Sequence, residues 1–183
     1  MRFGRLEREK RAIDGENSTN MLSGPMPNDL FEWHFTFRGS EGTDYEGGLY
    51  HGRILYPEDY PLGSPEIVLL NRNGRFEPGR HVWCTEYDNW HPIMNIRTII
   101  ESLRADFLEE EFGLARIQAD SATRRLLAQE SRAFRCEECG QHMQDVWEIF
   151  KAREKEARVK AKRAKLKALV RLGINRKLFA MKK

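Results

Sequence analysis

The sequence predicts an α+β fold in which one N-terminal helix precedes a small antiparallel meander sheet and further helices follow it. Apolar residues alternate strictly with polar ones from residue 31 to residue 37, which is typical of a strand. Beyond residue 95 they recur at helical spacing, and Gly- and Pro-rich turns separate the segments. The 183 residues suffice for one domain with its own core. We place that domain at residues 1–147 and a basic helical tail at residues 148–183.

The N-terminal segment predicts a short amphipathic helix. Phe3, Leu6 and Ile13 are spaced among alternating basic and acidic residues from residue 2 to residue 13. Asp14-Gly15 is a suitable stop signal. We therefore expect a helix over residues 2–13 with a narrow apolar face.

Three strands are predicted to form the meander. The first spans residues 31–37 and follows a predicted loop over residues 16–28. Its aromatic residues share one face, which we expect to be buried, and His34 on the opposite face is predicted to be solvated. Residues 45–55 and 66–70 supply the other two strands, and the segments between them carry the glycines and prolines of turns.

Helices are predicted for most of the remaining chain. Asn95 is a suitable N-cap for a helix with apolar residues at helical spacing. The apolar positions of this helix are Ile96, Ile99, Ile100, Leu103 and Phe107. Asp120 is predicted to cap a second helix with Leu126 and Leu127 directed inward. A third and longer helix is predicted from Gln144 to about Leu172, a segment without Pro or Gly.

The charge of the chain is distributed unevenly. Residues 151–183 contain 14 Lys and Arg against two Glu, a formal charge of +12, whereas the first 150 residues carry −9. An acidic domain is therefore followed by a basic helix. RNA, an anionic membrane surface and an acidic protein groove are each suitable partners for such a helix.

The cysteines and the hydropathy pattern predict the compartment. Three cysteines, Cys84, Cys136 and Cys139, are too few and too unevenly placed for a disulfide framework, which indicates a reducing intracellular environment. The sequence contains no apolar run near the ~18 residues that cross a bilayer, and the basic N-terminal segment lacks the apolar core of a signal peptide. We therefore expect no transmembrane segment and a cytoplasmic protein, with an organelle-associated complex as the alternative.

The predicted location of chemistry is an irregular loop over residues 71–92, between the third strand and the following helix. Glycines and a proline in its middle exclude regular secondary structure, and such loops commonly carry reactive residues. Cys84 is the only thiol in it. Arg80 and His81 would lower the pKa of an exposed Cys84, whereas packing behind Trp83 would leave an inert small hydrophobe.

Several strings of the sequence match one known family in the right order. They are PNDLFEWHF at 27–35, YEGGLYHG at 45–52, Tyr60-Pro61 with Pro65, NGRF at 73–76, WHP at 90–92, IRT at 96–98, ESRAF at 130–134 and CEECG at 136–140. In this combination the chain resembles the ubiquitin-conjugating enzymes, and within them the class usually tail-anchored at the endoplasmic reticulum. The resemblance covers about residues 2–147 and implies the ubiquitin-conjugating fold.

The resemblance implies acyl transfer through a thioester, a reaction that requires no cofactor on this chain. Cys84 would accept the C-terminus of ubiquitin from an activating enzyme and pass it to a lysine amine, usually with a ligase holding both partners. Asn73 matches the family asparagine that stabilises the oxyanion of the tetrahedral intermediate. Ordinary members carry His-Pro before this asparagine, whereas this chain carries Asn71-Arg72.

The resemblance also nominates residues that would contact a ligase. In the family these contacts come from the first helix, the loop after the Tyr-Pro and the loop of the Trp-x-Pro. The corresponding residues here are Arg5, Lys10, Leu62, Pro92 and Ile93. Ordinary surface packing is the alternative interpretation for each of them.

The chain departs from the resembled class around the cysteine. Cys84 follows Asn73 by eleven residues where the class has ten, and Trp83 occupies the expected cysteine position. Only five residues separate Cys84 from Trp90, fewer than in the class. A bulge at Pro78-Gly79 would absorb the shift and keep the site active. Otherwise the protein would be an inactive accessory subunit of a larger assembly, docked through its basic helix.

Cys136, Cys139 and His142 form a group of three zinc-type ligands. A closed structural zinc site needs four ligands, and the sequence offers no fourth one nearby. We therefore expect no metal and interpret the cysteines as a pair of small buried thiols at the start of a helix. A redox or zinc protein built on them is a third hypothesis, which requires a further ligand or a disulfide.

Overall fold

A computed structural model describes residues 1–82, 90–108 and 116–171. In chain order these residues form α1 (Arg2–Asp14), β1 (Met21–Met26), β2 (Asp29–Arg38), β3 (Leu49–Leu55), β4 (Glu66–Leu69), α2 (Ile96–Asp106), α3 (Ser121–Glu130), a 3-10 turn (Ser131–Ala133) and α4 (Met143–Arg171). The α+β class and the order of helix, sheet and helices are as predicted.

The sheet is an antiparallel meander with the strand order β1-β2-β3-β4. Strand β1 is the one element of this meander that the sequence did not predict, because Gly24 and Pro25 within it are typical of loops. The pairing of β1 with β2 loses its regular register between Pro25 and Met26. Since β1 lies at the edge of the sheet and has one paired neighbour, its proline is tolerated there.

One face of the sheet carries the main core. Trp33, Phe35 and Phe37 of β2 are all buried on this face, which confirms the prediction from their alternation. Leu6 of α1 and apolar residues of α2 pack against them. The α2 residues that contribute are Ile96, Ile99, Ile100 and Leu103.

The opposite face of β2 and β3 is buried as well. His34, Thr36 and His51 are each less than a tenth exposed, so the prediction that His34 is solvated is wrong. Residues 134–142 and the first turns of α4 cover this face. A second apolar cluster forms there, consisting of Leu49 together with Met143, Val146 and Phe150.

The N-termini of α2 and α3 are capped by the side chains that the sequence predicted. Asn95 accepts a hydrogen bond from the Thr98 amide, and Asp120 accepts one from the Thr123 amide. Leu127 of α3 is buried, but Leu126 is 54% exposed, which corrects the prediction that both leucines point inward. Adjacent residues on a helix face directions about 100° apart, so α3 buries only one of the two.

Helix α4 runs without a break from Met143 to Arg171. Its first turns pack on the domain, and contacts continue past residue 147: Arg38 pairs with Glu154, and Arg153 donates to the Ser18 carbonyl at 2.9 Å. From residue 155 to residue 170 every side chain is exposed. The domain boundary at residue 147 therefore stays a prediction, and the helix crosses it without interruption. Among the helices that the structure describes, none combines the length and apolar character needed to cross a membrane.

The two adjacent apolar residues Ile149 and Phe150 allow a test of which face of α4 packs on the domain. Phe150 is fully buried, so Phe150→Ala is expected to lower the free energy of unfolding by about 3–5 kcal/mol through lost packing and a residual cavity. Ile149 is 40% exposed, so we expect about 1 kcal/mol or less for Ile149→Ala. Urea denaturation followed by circular dichroism measures both, and equal losses would contradict this packing of α4.

Candidate functional site

The structure describes both ends of the loop of residues 71–92. The described parts are residues 71–82 and residues 90–92. Cys84 and Trp83 lie outside the described residues. The assignment of Cys84 as the thioester acceptor therefore stays a prediction.

The beginning of this loop is fixed to β3. The Asn71 side chain accepts a hydrogen bond from the His51 amide at 2.9 Å and donates one to the Leu49 carbonyl at 2.8 Å. Gly74 has a φ of +75° and packs against α3, where a Cβ atom would meet Leu127 at 3.3 Å. A left-handed backbone with this close approach favours glycine. The turn therefore has one defined position relative to the sheet.

The side chain of Asn73 builds this turn. Its carbonyl oxygen accepts hydrogen bonds from the amides of Arg75 and Phe76 at 2.9 and 2.7 Å. Its amide nitrogen donates to the Asn71 carbonyl at 2.9 Å, and the whole residue is buried. Asn73 thus holds the backbone of the loop in place, a role that the sequence analysis did not assign to it.

The two basic residues proposed to lower the pKa of Cys84 each have a carboxylate partner. His81 Nε2 lies 2.6 Å from Glu66, and Arg80 Nε lies 3.0 Å from Glu77. All four side chains are substantially exposed, so these pairs are weak and readily exchanged. An effect of Arg80 and His81 on the Cys84 thiol stays a prediction.

The predicted ligase contacts come from three segments that hydrogen bonds hold together. Arg5 of α1 donates to the carbonyls of Pro92 and Met94 at 2.9 and 2.6 Å. Trp90 donates to the Pro61 carbonyl at 2.9 Å, which ties the Trp-x-Pro loop to the loop after Tyr60. The first helix and both loops therefore form one continuous surface.

The carboxylate of Glu9 is the buried centre of this arrangement. One oxygen accepts hydrogen bonds from Arg5 Nε and from the Tyr60 hydroxyl, both at 2.6 Å, and the other accepts from the Ile96 amide at 2.9 Å. Burial, and then the hydrogen bond to Glu9, raise the pKa of Tyr60. One acidic side chain thus joins α1, the loop after β3 and the beginning of α2. The sequence contains no local pattern that would reveal it.

The five nominated contacts differ in how they are presented. Leu62 is 69% exposed and Ile93 is 78% exposed, so each offers an apolar side chain to a partner. Arg5 is only 20% exposed and is engaged with the loop of Pro92, while Lys10 pairs with Asp14 on the surface of α1. This geometry favours Leu62 and Ile93 as contact residues and gives Arg5 a structural role.

A second group of reactive side chains lies on the opposite side of the sheet. His34 Nδ1 and His51 Nε2 are 3.1 Å apart, Cys136 Sγ is 3.7 Å from His34 Nδ1, and Cys139 Sγ is 3.6 Å from His51 Nε2. All four ligand atoms lie within 4.8 Å of one another. His142, which the sequence analysis grouped with the two cysteines, is not part of this cluster. His34 and His51 were missed because they are far away in sequence.

Burial shifts the pKa values of two members of this cluster. Burial, and then the neighbouring His34, lower the pKa of His51 to about 3, so His51 is neutral at physiological pH. Burial also raises the pKa of the Cys139 thiol. Both cysteines are free thiols in the structure.

The site and the fold can be compared with known proteins. The solved structure of human ubiquitin-conjugating enzyme E2 G1 superimposes with a TM-score of 0.52 and 23% identity, over 57% of this chain and 93% of that one. The protein therefore has a ubiquitin-conjugating fold. The family model described as ubiquitin-conjugating enzyme matches residues 5–135.

Curated relatives extend the match in sequence. Human ubiquitin-conjugating enzyme E2 J1 is 40% identical over 128 residues, which are 67% of this chain and 40% of that protein. Human ubiquitin-conjugating enzyme E2 J2 is 33% identical over 134 residues, 71% of this chain and 52% of that protein. The chain thus spans about half or less of the length of these two relatives. It belongs to the ubiquitin-conjugating enzyme family.

Replacing Asn73 tests its structural role. Asn73→Ala leaves the buried amides of Arg75 and Phe76 without their acceptor, so the free energy of unfolding is expected to fall by about 2–4 kcal/mol. Arg72→Ala is the matched control, since Arg72 is exposed on the same turn, and it is expected to change stability by less than about 0.5 kcal/mol. Denaturant titrations measure the free energy of unfolding of the two variants. An unfolding midpoint of Asn73→Ala equal to that of the wild type would refute the structural role of Asn73.

Proposed function

We propose that this protein carries ubiquitin, or a ubiquitin-like modifier, as a thioester on Cys84 and transfers it to a lysine amine. The observation that carries the proposal is the family match, which spans residues 5–135 and so includes Asn73 and the whole of the loop with Cys84. The relatives named as ubiquitin-conjugating enzymes support the same activity. Ubiquitin, an activating enzyme and a ligase would be the partners.

The proposed chemistry consists of two acyl transfers. In the first, the Cys84 thiolate attacks the thioester carbonyl on the activating enzyme, a new thioester forms, and the activating enzyme's cysteine leaves as a thiolate. In the second, an uncharged lysine amine attacks the Cys84 thioester, an amide bond forms, the Cys84 thiolate leaves and the amine loses a proton. ATP is consumed by the activating enzyme before either transfer.

Asn73 would donate to the oxyanion in both transfers. Its amide nitrogen carries two hydrogens, and the hydrogen bond to the Asn71 carbonyl uses one of them. The second hydrogen is the one that we assign to the oxyanion. An amide fixed by three hydrogen bonds requires little reorganisation at the moment of reaction, which is the condition for effective electrostatic stabilisation.

The second candidate function is that of an inactive accessory subunit docked through its basic helix. The observation in its favour is that α4 projects an exposed, basic surface from residue 155 to residue 170. RNA, an anionic membrane surface or an acidic protein are the partners that such a surface suits. Cys84 is displaced by one residue relative to the resembled class, which also supports an inactive accessory subunit.

A thioester assay separates the two functions. Purified protein is incubated with ubiquitin, activating enzyme and ATP without reductant, beside Cys84→Ser and Cys84→Ala. We expect an adduct that reductant removes in the wild type, an adduct that resists reductant in the serine variant because an oxygen ester forms, and none in the alanine variant. Wild-type protein with a native circular dichroism spectrum and no adduct would rule out the thioester function for ubiquitin.

Leu62 and Ile93 are expected to bind the ligase. Truncating either exposed side chain to alanine should reduce ligase-stimulated discharge about five- to thirty-fold, which corresponds to 1–2 kcal/mol of contact energy. Discharge to free lysine without a ligase should be unchanged, because neither side chain supports the core. Leu126→Ala is the control, since Leu126 is a similarly exposed leucine on α3. Single-turnover assays with RING-type ligase domains give the rates, and equal effects from all three variants would exclude a specific surface.

A further inference from the structure

Four soft or borderline ligand side chains converge between the sheet and the segment that leads into α4. His34 comes from β2, His51 comes from β3, and Cys136 and Cys139 come from the turn before α4. Cys136 and its neighbour His34 are 102 residues apart in sequence, and Cys139 and its neighbour His51 are 88 residues apart. The fold therefore assembles one cluster from three separate segments.

Three of the six distances between the four ligand atoms are close to those of a tetrahedral metal site, and all six are within 4.8 Å. Zinc bonds of about 2.0–2.1 Å to nitrogen and about 2.3 Å to sulfur imply nitrogen–nitrogen edges of about 3.3 Å and nitrogen–sulfur edges of about 3.6 Å. The observed nitrogen–nitrogen distance is 3.1 Å, and the observed nitrogen–sulfur distances are 3.7 and 3.6 Å. Binding an ion would require the remaining nitrogen–sulfur and sulfur–sulfur distances to take similar values.

Both histidines direct their other ring nitrogen to an outer partner. His51 Nδ1 lies 2.8 Å from the Thr36 hydroxyl, and His34 Nε2 lies 3.3 Å from Glu32 and 3.5 Å from Glu138. Metal-bound histidines characteristically donate their second N–H to a carboxylate, carbonyl or water, which fixes the tautomer and the ring orientation. With a metal bound, the Thr36 hydroxyl would accept from His51 and the carboxylates would accept from His34. In these tautomers the nitrogen of each ring that faces the cysteines would be free to bind the ion.

The turn that carries the cysteines is itself closed by backbone hydrogen bonds. The Cys136 amide donates to the Gln141 carbonyl at 3.0 Å, and the Gly140 amide donates to the Cys136 carbonyl at 2.9 Å. Gly140 has a φ of +71°, which lets the chain reverse directly after Cys139. This geometry presents both sulfurs to the same side of the turn, toward the histidines.

We propose that His34 Nδ1, His51 Nε2, Cys136 Sγ and Cys139 Sγ bind one zinc ion in a closed structural site. Two sulfur and two nitrogen ligands are a set typical of zinc. All four positions are occupied by protein, so the ion has a structural role and leaves no open position for a substrate. A groove lined by Ser23, Pro25 and Cys139 leads to the cluster and provides an entry path. The ion would fasten the beginning of α4 to β2 and β3.

Metal analysis of the full chain tests the site. Protein expressed in zinc-supplemented medium and purified without chelators should contain about one zinc per chain by elemental mass spectrometry. Cys136→Ser and Cys139→Ser should each lose roughly ten-fold or more of that zinc affinity. His142→Ala is the matched control, since His142 is close in sequence but outside the cluster, and it should retain the metal.

Replacing zinc with cobalt gives a readout that does not depend on the folding of any variant. Wild-type protein loaded with Co²⁺ should show the intense visible bands of tetrahedral cobalt and a thiolate-to-cobalt charge-transfer band. Thr36→Val removes the hydrogen-bond partner of His51 and should weaken zinc binding by about 10- to 100-fold in competition with a chromophoric chelator.

Three results would overturn the proposal. The first is folded wild-type protein with reduced thiols that holds no zinc, binds none at stoichiometric concentration and gives no cobalt bands. The second is a Cys136–Cys139 disulfide, seen as a mass lower by two hydrogens in protein purified under reducing conditions. Loss of metal in His142→Ala with retention in Cys139→Ser would equally exclude this ligand set.

Discussion

The pairing of β2 with β3 is the interaction on which the rest of the structure depends. Seven residue pairs form this antiparallel ladder, and successive side chains point to opposite faces of it. One ladder therefore positions two interiors: the aromatic core beneath α1 and α2, and the histidine and cysteine cluster beneath the beginning of α4. Asn71 extends the same framework to the candidate reactive loop, since it is hydrogen-bonded to the backbone of β3 on both sides of Tyr50.

Local patterns predicted the main helices and strands apart from β1, and distant contacts determined what the sequence could not predict. The alternation at Phe31 to Phe37 and the cap at Asn95 are local signals, and the structure confirms both. The burial of His34 depends on a segment that begins about a hundred residues later, so no window around His34 contains the information. Cys136 and Cys139 were recognised as ligand types, but their partners lie on strands whose register only the fold defines.

The candidate reactive loop likewise combines features that local patterns predict with features that distant contacts determine. Its position follows from motifs, whereas its support comes from contacts that local patterns do not reveal. Asn71 ties it to β3, and the buried carboxylate of Glu9 joins the neighbouring segments. Burying this charge is tolerated because three donors from different segments satisfy it. The surface that carries Leu62 and Ile93 therefore owes its shape to a residue that is itself hidden beneath it.

The uninterrupted helix α4 has a mechanical consequence. Its exposed part, residues 155–170, would extend roughly 24 Å from the domain at 1.5 Å per residue. A flexible linker of the same length would allow the domain to sample all orientations relative to a partner bound at its end. A continuous helix that is packed on the domain through Phe150 and the Arg38–Glu154 pair fixes the orientation of the domain as well as its distance from the partner. A partner bound along this part of the helix would thus dictate which way the candidate reactive loop faces.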